Sequence, residues 1–411
     1  MSATTGAARS RAIGAEEPAG APLGWRERIN QHPMAPYYLL LGSSMLLLVL
    51  GLVMVLSSST VESYGAHRSV FTLFTRQVIF AVAGLVAMVV LARMPVPVLR
   101  RLILPFLAFS VLLLFLSFVP GIGVSVHGQR NWINFIGPFR LQPSEFAKLA
   151  LVLWAADLFA RREALLDHWR VLLWPFLPVA GLILGLVVLQ GDLGTAIILA
   201  IIVAGLLFVA GAPMRIFVLL GAVGVAGIAA LSLTAGYRVR RFTAWLHPEG
   251  DLDGAGWQLI QGKYALGTGG WWGVGLGGSR EKWGALPEAH TDFIFPVIGE
   301  ELGLLGALTV IGLFAAITVF TLRMAIRTTD LYVRVACVGI VAWLIGQAMV
   351  NLGAVLQLMP ITGVPLPFVS YGGSSLLPSL MAIGVLLAFA KHEARVATAR
   401  RIATAAAGQE R

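Results

Sequence analysis

One cysteine, Cys337, stands in a chain of 411 residues, which excludes an internal disulfide and any metal cluster held by cysteines. It lies in an apolar run, where a thiol reads as packing. Charge is just as sparse. Only 12% of residues are charged against 58% hydrophobic, whereas a water-soluble surface needs roughly a quarter charged, so a cytosolic globular enzyme is excluded. Seven histidines are present, and His290 has no second histidine at helical ligand spacing, which weakens it as a metal ligand. Thirty Lys+Arg against 20 Asp+Glu give a net charge of +10. In so apolar a chain this excess reads as orientation and anionic-lipid contact, not nucleic-acid binding. The stretch T-G-G-W-W-G-V-G-L-G-G at 268–278 is no nucleotide loop, because no strand precedes it and no G-K-[ST] follows.

What is there in abundance is apolar sequence. Runs at about 37–56, 74–92, 102–120, 142–160, 171–189, 193–210, 216–235, 293–322, 334–358 and 374–390 predict an all-α integral membrane protein of about ten transmembrane helices. Residues 1–36 read as a disordered tail without a signal peptide, 37–392 as the membrane domain and 393–411 as a short second tail. The amino-terminal side of this topology carries 19 Lys and Arg, the opposite side ten, six of these in the loop 236–291. Short loops decide orientation, so both termini are predicted cytoplasmic and the large loop between helices 7 and 8 extracytoplasmic.

That loop opens on Tyr237, Arg238, Arg240 and Arg241, continues through a Gly- and Trp-rich middle with Lys263, and closes on Arg280, Lys282, Glu288, His290 and Asp292. Interface-lying apolar segments beside clustered cations suit an anionic lipid headgroup; a structural cap anchored by tryptophans is the alternative. Charge inside a membrane marks function or pairing. Glu145 and Lys148 share a helix face at i and i+3, as an ion pair would. Asp192 starts a span and could simply cap it. Asp292 stands where L-P-E-A-H-T-D enters the apolar F-I-F. A half-desolvated carboxylate there gains proton affinity within reach of a polar headgroup, although an N-cap would also explain it. Glu300 and Glu301 lie roughly 12 Å of helix rise beyond it and point away at 100° per residue, so neither forms a dyad with it on an unbroken helix.

Seven blocks occur in order: G-Q-R-N-W-I-N, L-Q-P-S-E-F-A-K-L-A, Q-G-D-L-G-T-A, Y-R-V-R-R-F, G-W-Q-L-I-Q-G-K-Y-A-L-G-T-G-G-W-W-G-V-G-L-G, P-E-A-H-T-D-F-I-F-P-V-I-G-E-E-L-G and P-L-P-F-V-S-Y-G-G-S-S. Together they resemble the SEDS family of peptidoglycan glycosyltransferases over about 37–392, nearer its division branch than its elongation branch. The resemblance implies a catalytic carboxylate at Asp292. It implies supporting charges at Glu145, Asp192, Glu288 and His290, and substrate contacts at Arg130, Lys148, Arg238, Arg241, Lys263, Arg280 and Ser370.

It further implies lipid II as substrate, an undecaprenyl-diphosphate-linked glycan as donor, and inverting displacement with Asp292 as general base. A divalent cation, magnesium or manganese, is expected, with its ligands left open; no organic cofactor is. The implied partners are a class B penicillin-binding protein and other divisome membrane proteins, at the septum of a bacterial cytoplasmic membrane. Rival readings are a lipid II flippase, an elongation polymerase and a non-catalytic scaffold. Flipping requires polar residues through the whole bilayer depth, whereas here they crowd toward one face.

Overall fold

The computed structural model describes residues 32–65, 71–126, 128–136, 139–165, 169–234, 236–252, 254–283 and 286–409; the predicted tail therefore lies outside the described residues up to residue 31. Long apolar stretches fold as helices because a helix satisfies its own backbone in lipid. In chain order these are α1 (Ala35–Gly65), α2 (Thr72–Arg93), α3 (Val96–Leu116), α4 (Pro143–Arg161), α5 (Trp169–Leu189), α6 (Leu193–Val209), α7 (Met214–Thr234), α8 (Gly236–Leu246), α9 (Ala255–Thr268), α10 (Ile294–Arg327), α11 (Leu331–Val355) and α12 (Leu376–Gln409). Among the described residues, α1, α2, α3, α10, α11 and α12 are long and apolar enough to cross a membrane, with shorter apolar helices in α5, α6 and α7. The chain is a predominantly helical membrane protein.

Helix α4 carries Glu145, Lys148 and Asp157, yet Pro143 to Leu153 are all buried. It sits among α3, α5, α6 and α11, so its polar side chains meet protein instead of lipid. Helices α2 and α12 meet through small residues: an added Cβ would stand 2.6 Å from the Leu380 side chain at Gly84, and 2.7 Å from Met88 O at Gly384. Close backbone approach of this kind is how helices gain packing contacts in a membrane. Helix α12 runs on to Gln409, so the segment read from the sequence as a tail is largely helical.

Two features depart from the all-α expectation. Between α3 and α4 lies an antiparallel sheet of β1 (Gly123–Val126), β2 (Gln129–Ile136) and β3 (Phe139–Leu141), in the order β1-β2-β3. Gly123 pairs with Ile133, and Ile133 with Leu141. The alternation Arg130 out, Asn131 in, Ile133 in, Asn134 out is the period of a half-buried strand. The long loop, in turn, has helices of its own, α8 and α9.

The second departure is a break in α10. Gly303 has φ 69° and ψ −168°, a left-handed conformation open to glycine alone at little cost. The backbone groups freed by the break pair with the loop after α9. Leu304 N donates to Gly270 O (2.9 Å), Leu305 N to Trp271 O (3.4 Å), Val274 N to Glu300 O (2.9 Å) and Gly275 N to Glu301 O (3.1 Å). A Cβ on Gly273 would stand 2.2 Å from Glu301 O. The glycine-rich stretch is thus the spacing that lets one backbone enter another.

Candidate active site at the mouth of the bundle

The segment ahead of α10 turns sharply on Glu288, whose φ is +54°. Its carbonyl accepts from Thr291 N (3.1 Å) and Phe293 N (3.2 Å). The turn gathers three side chains: Thr291 Oγ1 lies 2.6 Å from Glu288 Oε2 and 3.2 Å from Asp292 Oδ1. The N-cap of α10 is Phe293, with no side-chain cap, so the capping role left open for Asp292 is not taken. Asp292 is half-buried and forms no ion pair among the described residues. Its backbone is fixed by Asn351, whose Nδ2 donates to Asp292 O (2.8 Å) and Val364 O (2.8 Å). Burial first, and then the Glu288 charge, push the Asp292 carboxyl up from 3.8 to about 6, against the pull of Arg241, its own backbone bond and the Thr291 hydroxyl. A carboxyl so poised is a base at neutral pH and a competent proton carrier.

Helix α8 delivers a cation, Arg241, whose charge acts on Asp292. Trp245 Nε1 donates to Gln357 O (2.9 Å), which docks α8 on the segment after α11 and leaves Arg241 half-buried near Gly363. Arg238 is one turn earlier on α8, its side chain outside the described residues. Lys263 on α9, Arg280 in the loop and Arg130 on β2 are exposed; Arg130 is tied by its backbone to Gln190 O (3.0 Å). Segment 356–375 completes the mouth. Tyr371 N donates to His290 O (2.8 Å), and the two rings stand 5.4 Å apart. Ser370 is buried and uses Oγ to accept from Leu366 N (2.8 Å), closing a turn in which Phe368 takes φ +65°.

Deeper in, Lys148 and Glu145 form a wholly buried ion pair (2.8 Å). Lys148 Nζ also donates to Gln347 Oε1 (2.7 Å) and lies 5.2 Å from the Trp343 ring centroid. Gln347 Nε2 in turn donates to Pro365 O (2.9 Å). Gln347 and Asn351 are one turn apart on α11, so the pair in α4 and the backbone of Asp292 share one scaffold. Asp192 does cap α6, accepting from Thr195 N (3.0 Å). It does more besides: Asn131 Nδ2 (2.9 Å) and Gln142 Nε2 (3.0 Å) both donate to it, so a buried carboxylate anchors the sheet to the bundle. Glu300 and Glu301 point away from Asp292 as expected and clamp the loop. Glu300 accepts from Ser279 Oγ (2.5 Å) and Arg280 N (2.8 Å), and Glu301 pairs with Lys282 (2.8 Å) and accepts from Ser57 Oγ (2.7 Å).

Gln347, Asn351, Asn131, Gln142 and Thr291 escape a reading that looks for charge. The signal available was an amide within or beside an apolar run, which must find a partner or pay for its burial. Among the described residues no three His, Cys, Asp or Glu side chains cluster as metal ligands. Glu288 and Asp292, meeting at one hydroxyl, are nevertheless a donor set of the size that a diphosphate-bound hard cation takes from protein.

The model of the cell cycle protein family FtsW/RodA/SpoVE matches residues 37–395. The probable peptidoglycan glycosyltransferase FtsW of Mycobacterium tuberculosis is 41% identical over 369 residues, 90% of this chain and 70% of that protein. The stage V sporulation protein E of Bacillus subtilis is 38% identical over 361 residues, 87% of this chain and 98% of its own. Among solved structures, a chain from work on coordinated polymerization and crosslinking by a peptidoglycan synthase complex superposes with a TM-score of 0.69 at 30% identity, covering 86% of this chain and 97% of that one. The rod shape determining protein RodA of Thermus thermophilus gives 0.59 at 29% identity, over 85% and 95%. With the match spanning nearly all of its membrane part, this chain belongs to the FtsW/RodA/SpoVE family of cell cycle proteins.

Proposed function

We propose that the chain is a peptidoglycan glycosyltransferase that polymerises lipid II at the outer face of a bacterial cytoplasmic membrane, in the septal branch of the family. The relatives named as such glycosyltransferases support the activity. The observation that carries the mechanism is Asp292: without an ion pair among the described residues, half-open, fixed by its backbone and raised in proton affinity at the mouth of the bundle. In this reading ten helices, α1 to α7 and α10 to α12, span the bilayer with both termini cytoplasmic, and α8 and α9 lie along the outer leaflet.

Asp292 takes the proton of the acceptor sugar's 4-hydroxyl as its oxygen attacks the anomeric carbon of the donor. The bond from that carbon to the diphosphate oxygen breaks, and the diphosphate leaves with the electron pair. One displacement converts an α-linked donor into a β-1,4 product, so no second carboxylate nucleophile is needed. Arg241 and Arg238 on α8, with Arg130, Lys263 and Arg280 at the rim, stabilise the departing charge. A magnesium or manganese ion, when bound, would be held by Glu288 or Asp292 together with the diphosphate, and would add Lewis-acid stabilisation of the leaving group. Lys148, neutralised by Glu145 inside the bundle, acts by holding Gln347 and the 365–370 segment in place. A class B penicillin-binding protein crosslinks the strands.

The test is reconstitution with lipid II. The wild type yields glycan polymer and Asp292→Ala yields none at equal folding. Equal polymer from both would sink the assignment, and movement of headgroups across vesicles without polymer would favour transport.

A further inference from the structure

The end of the bundle remote from Asp292 carries a cavity that the mechanism leaves unused. Gln77, near the start of α2, bonds the segment beside the active site through Ser370 O (3.2 Å) and Gly373 N (3.1 Å). Arg93 ends the same helix, roughly 24 Å of rise further on. There the proline-stiffened corner 94–97 and one face of α12 enclose a cavity of about 250 Å³, lined by Arg93, Pro95, Pro97, Lys391, His392 and Arg395 among others. Among the described residues no carboxylate lines it.

Two neighbouring cations at this end are neutralised. Arg100 and Arg161 share Asp157 at 2.7 and 2.6 Å. Glu393, the acid closest in sequence, turns to the other side of α12 and accepts from Thr328 Oγ1 (2.6 Å). Arg93, Lys391 and Arg395 form no ion pair among the described residues. Lys391 and Arg395 are one turn apart, an arrangement that destabilises a helix unless an anion sits between them. Short cytoplasmic loops carry cations as a rule; here Arg93 and Arg395 are exposed and Lys391 half-buried, and all three line one cavity.

A stripe leads to it along α2. Val82, Val86 and Val90 recur one turn apart, exposed by 54, 60 and 46%, and Arg93 follows on the same face. An apolar chain laid along these valines would bring its headgroup to the four basic side chains.

We infer that this cavity is a binding site for an anionic phospholipid of the inner leaflet, its phosphodiester held by Arg93, Lys391 and Arg395 and its acyl chain lying on the α2 valines. The site is distinct from the one that takes lipid II and does not require that reading of the chemistry. Bound anionic lipid would supply the missing counter-charge and tie the α2–α3 corner to α12.

The experiment is native mass spectrometry of the delipidated full chain titrated with phosphatidylglycerol, with phosphatidylcholine and free glycerol phosphate as separate arms. Phosphatidylglycerol is expected to bind the wild type, while glycerol phosphate at equal concentration does not displace it. Charge removal in Arg93→Gln/Lys391→Gln/Arg395→Gln should weaken binding on the order of 100-fold, at about fivefold for each cation lost. Should the triple variant fail to fold, Lys391→Gln alone is expected to show the fivefold step. Arg323→Gln/Arg400→Gln, at the pocket that contains Glu393, should bind within about twofold of wild type on the same scale. Wild-type affinity in the folded triple or single variant, equal binding of phosphatidylcholine, or full displacement by glycerol phosphate would each overturn the site. None of these readouts depends on polymerisation.

Discussion

Glu145 and Asp292 both stand where a loop enters an apolar helix, and their surroundings differ. Glu145 meets Lys148 inside the bundle, and both are sealed from solvent. Asp292 is given a neighbouring carboxylate, a hydroxyl and a backbone clamp, but no ion pair among the described residues. A charge that is paired and buried supports the architecture; one left partly open without a partner keeps its proton chemistry available. The same carboxylate group thus does different work because of the partners around it.

The largest effect that tests this contrast is on activity. Asp292→Asn should lower lipid II polymerisation by about 10²- to 10⁴-fold, read as glycan length on gels. Its stability should move the other way. Because the folded carboxyl sits at about 6 against an ordinary 3.8, ionising it opposes folding as pH rises through that window. The asparagine variant should therefore be more stable than wild type above pH 6, on the order of 1–3 kcal/mol, with the gain gone below pH 4. A variant that loses activity and stability together at pH 8 would place Asp292 with the structural acids.

Glu145→Ala should do the reverse, stranding Lys148 in the core and costing about 3–5 kcal/mol, seen as a lower melting temperature. Retained stability would show that the pair is not what holds α4. Asn351→Ala sits between the two cases. It leaves Asp292 O and Val364 O without their amide, a loss of about 1–3 kcal/mol, and should reduce polymerisation at all pH values without moving the midpoint. The smallest effect belongs to Glu288→Gln. It removes the charge that helps raise Asp292, so the acid limb of the rate profile should move to lower pH while the protein stays folded. An unmoved limb would mean that burial alone sets the proton affinity.

Much of this was legible in the sequence because lipid imposes long apolar helices, and runs of that length admit few other readings. The i,i+3 spacing of Glu145 and Lys148 fixed a shared face, and the junction before F-I-F marked Asp292. The three-stranded sheet was not legible as such, since its alternation is carried by short strands and an inward Asn131 whose partner, Asp192, lies far along the chain. Nor could spacing show that Gly303 breaks α10, because the break exists only where residues 270–275 arrive to fill it. Asn351 was hidden for a related reason, and Gln347 in part: their amide nitrogens donate to backbone carbonyls, which leave no mark in composition.

That inserted strand of glycines has a mechanical consequence. Four backbone hydrogen bonds and the Lys282–Glu301 pair splice the loop after α9 into a helix whose far end, through Thr328, touches Glu393 of α12. The loop cannot lift like a hinged flap without tearing that splice. Any movement of this loop must therefore travel as a tilt of the long half of α10, so the Thr328 end of that helix and the segment around Asp292 are two ends of one lever.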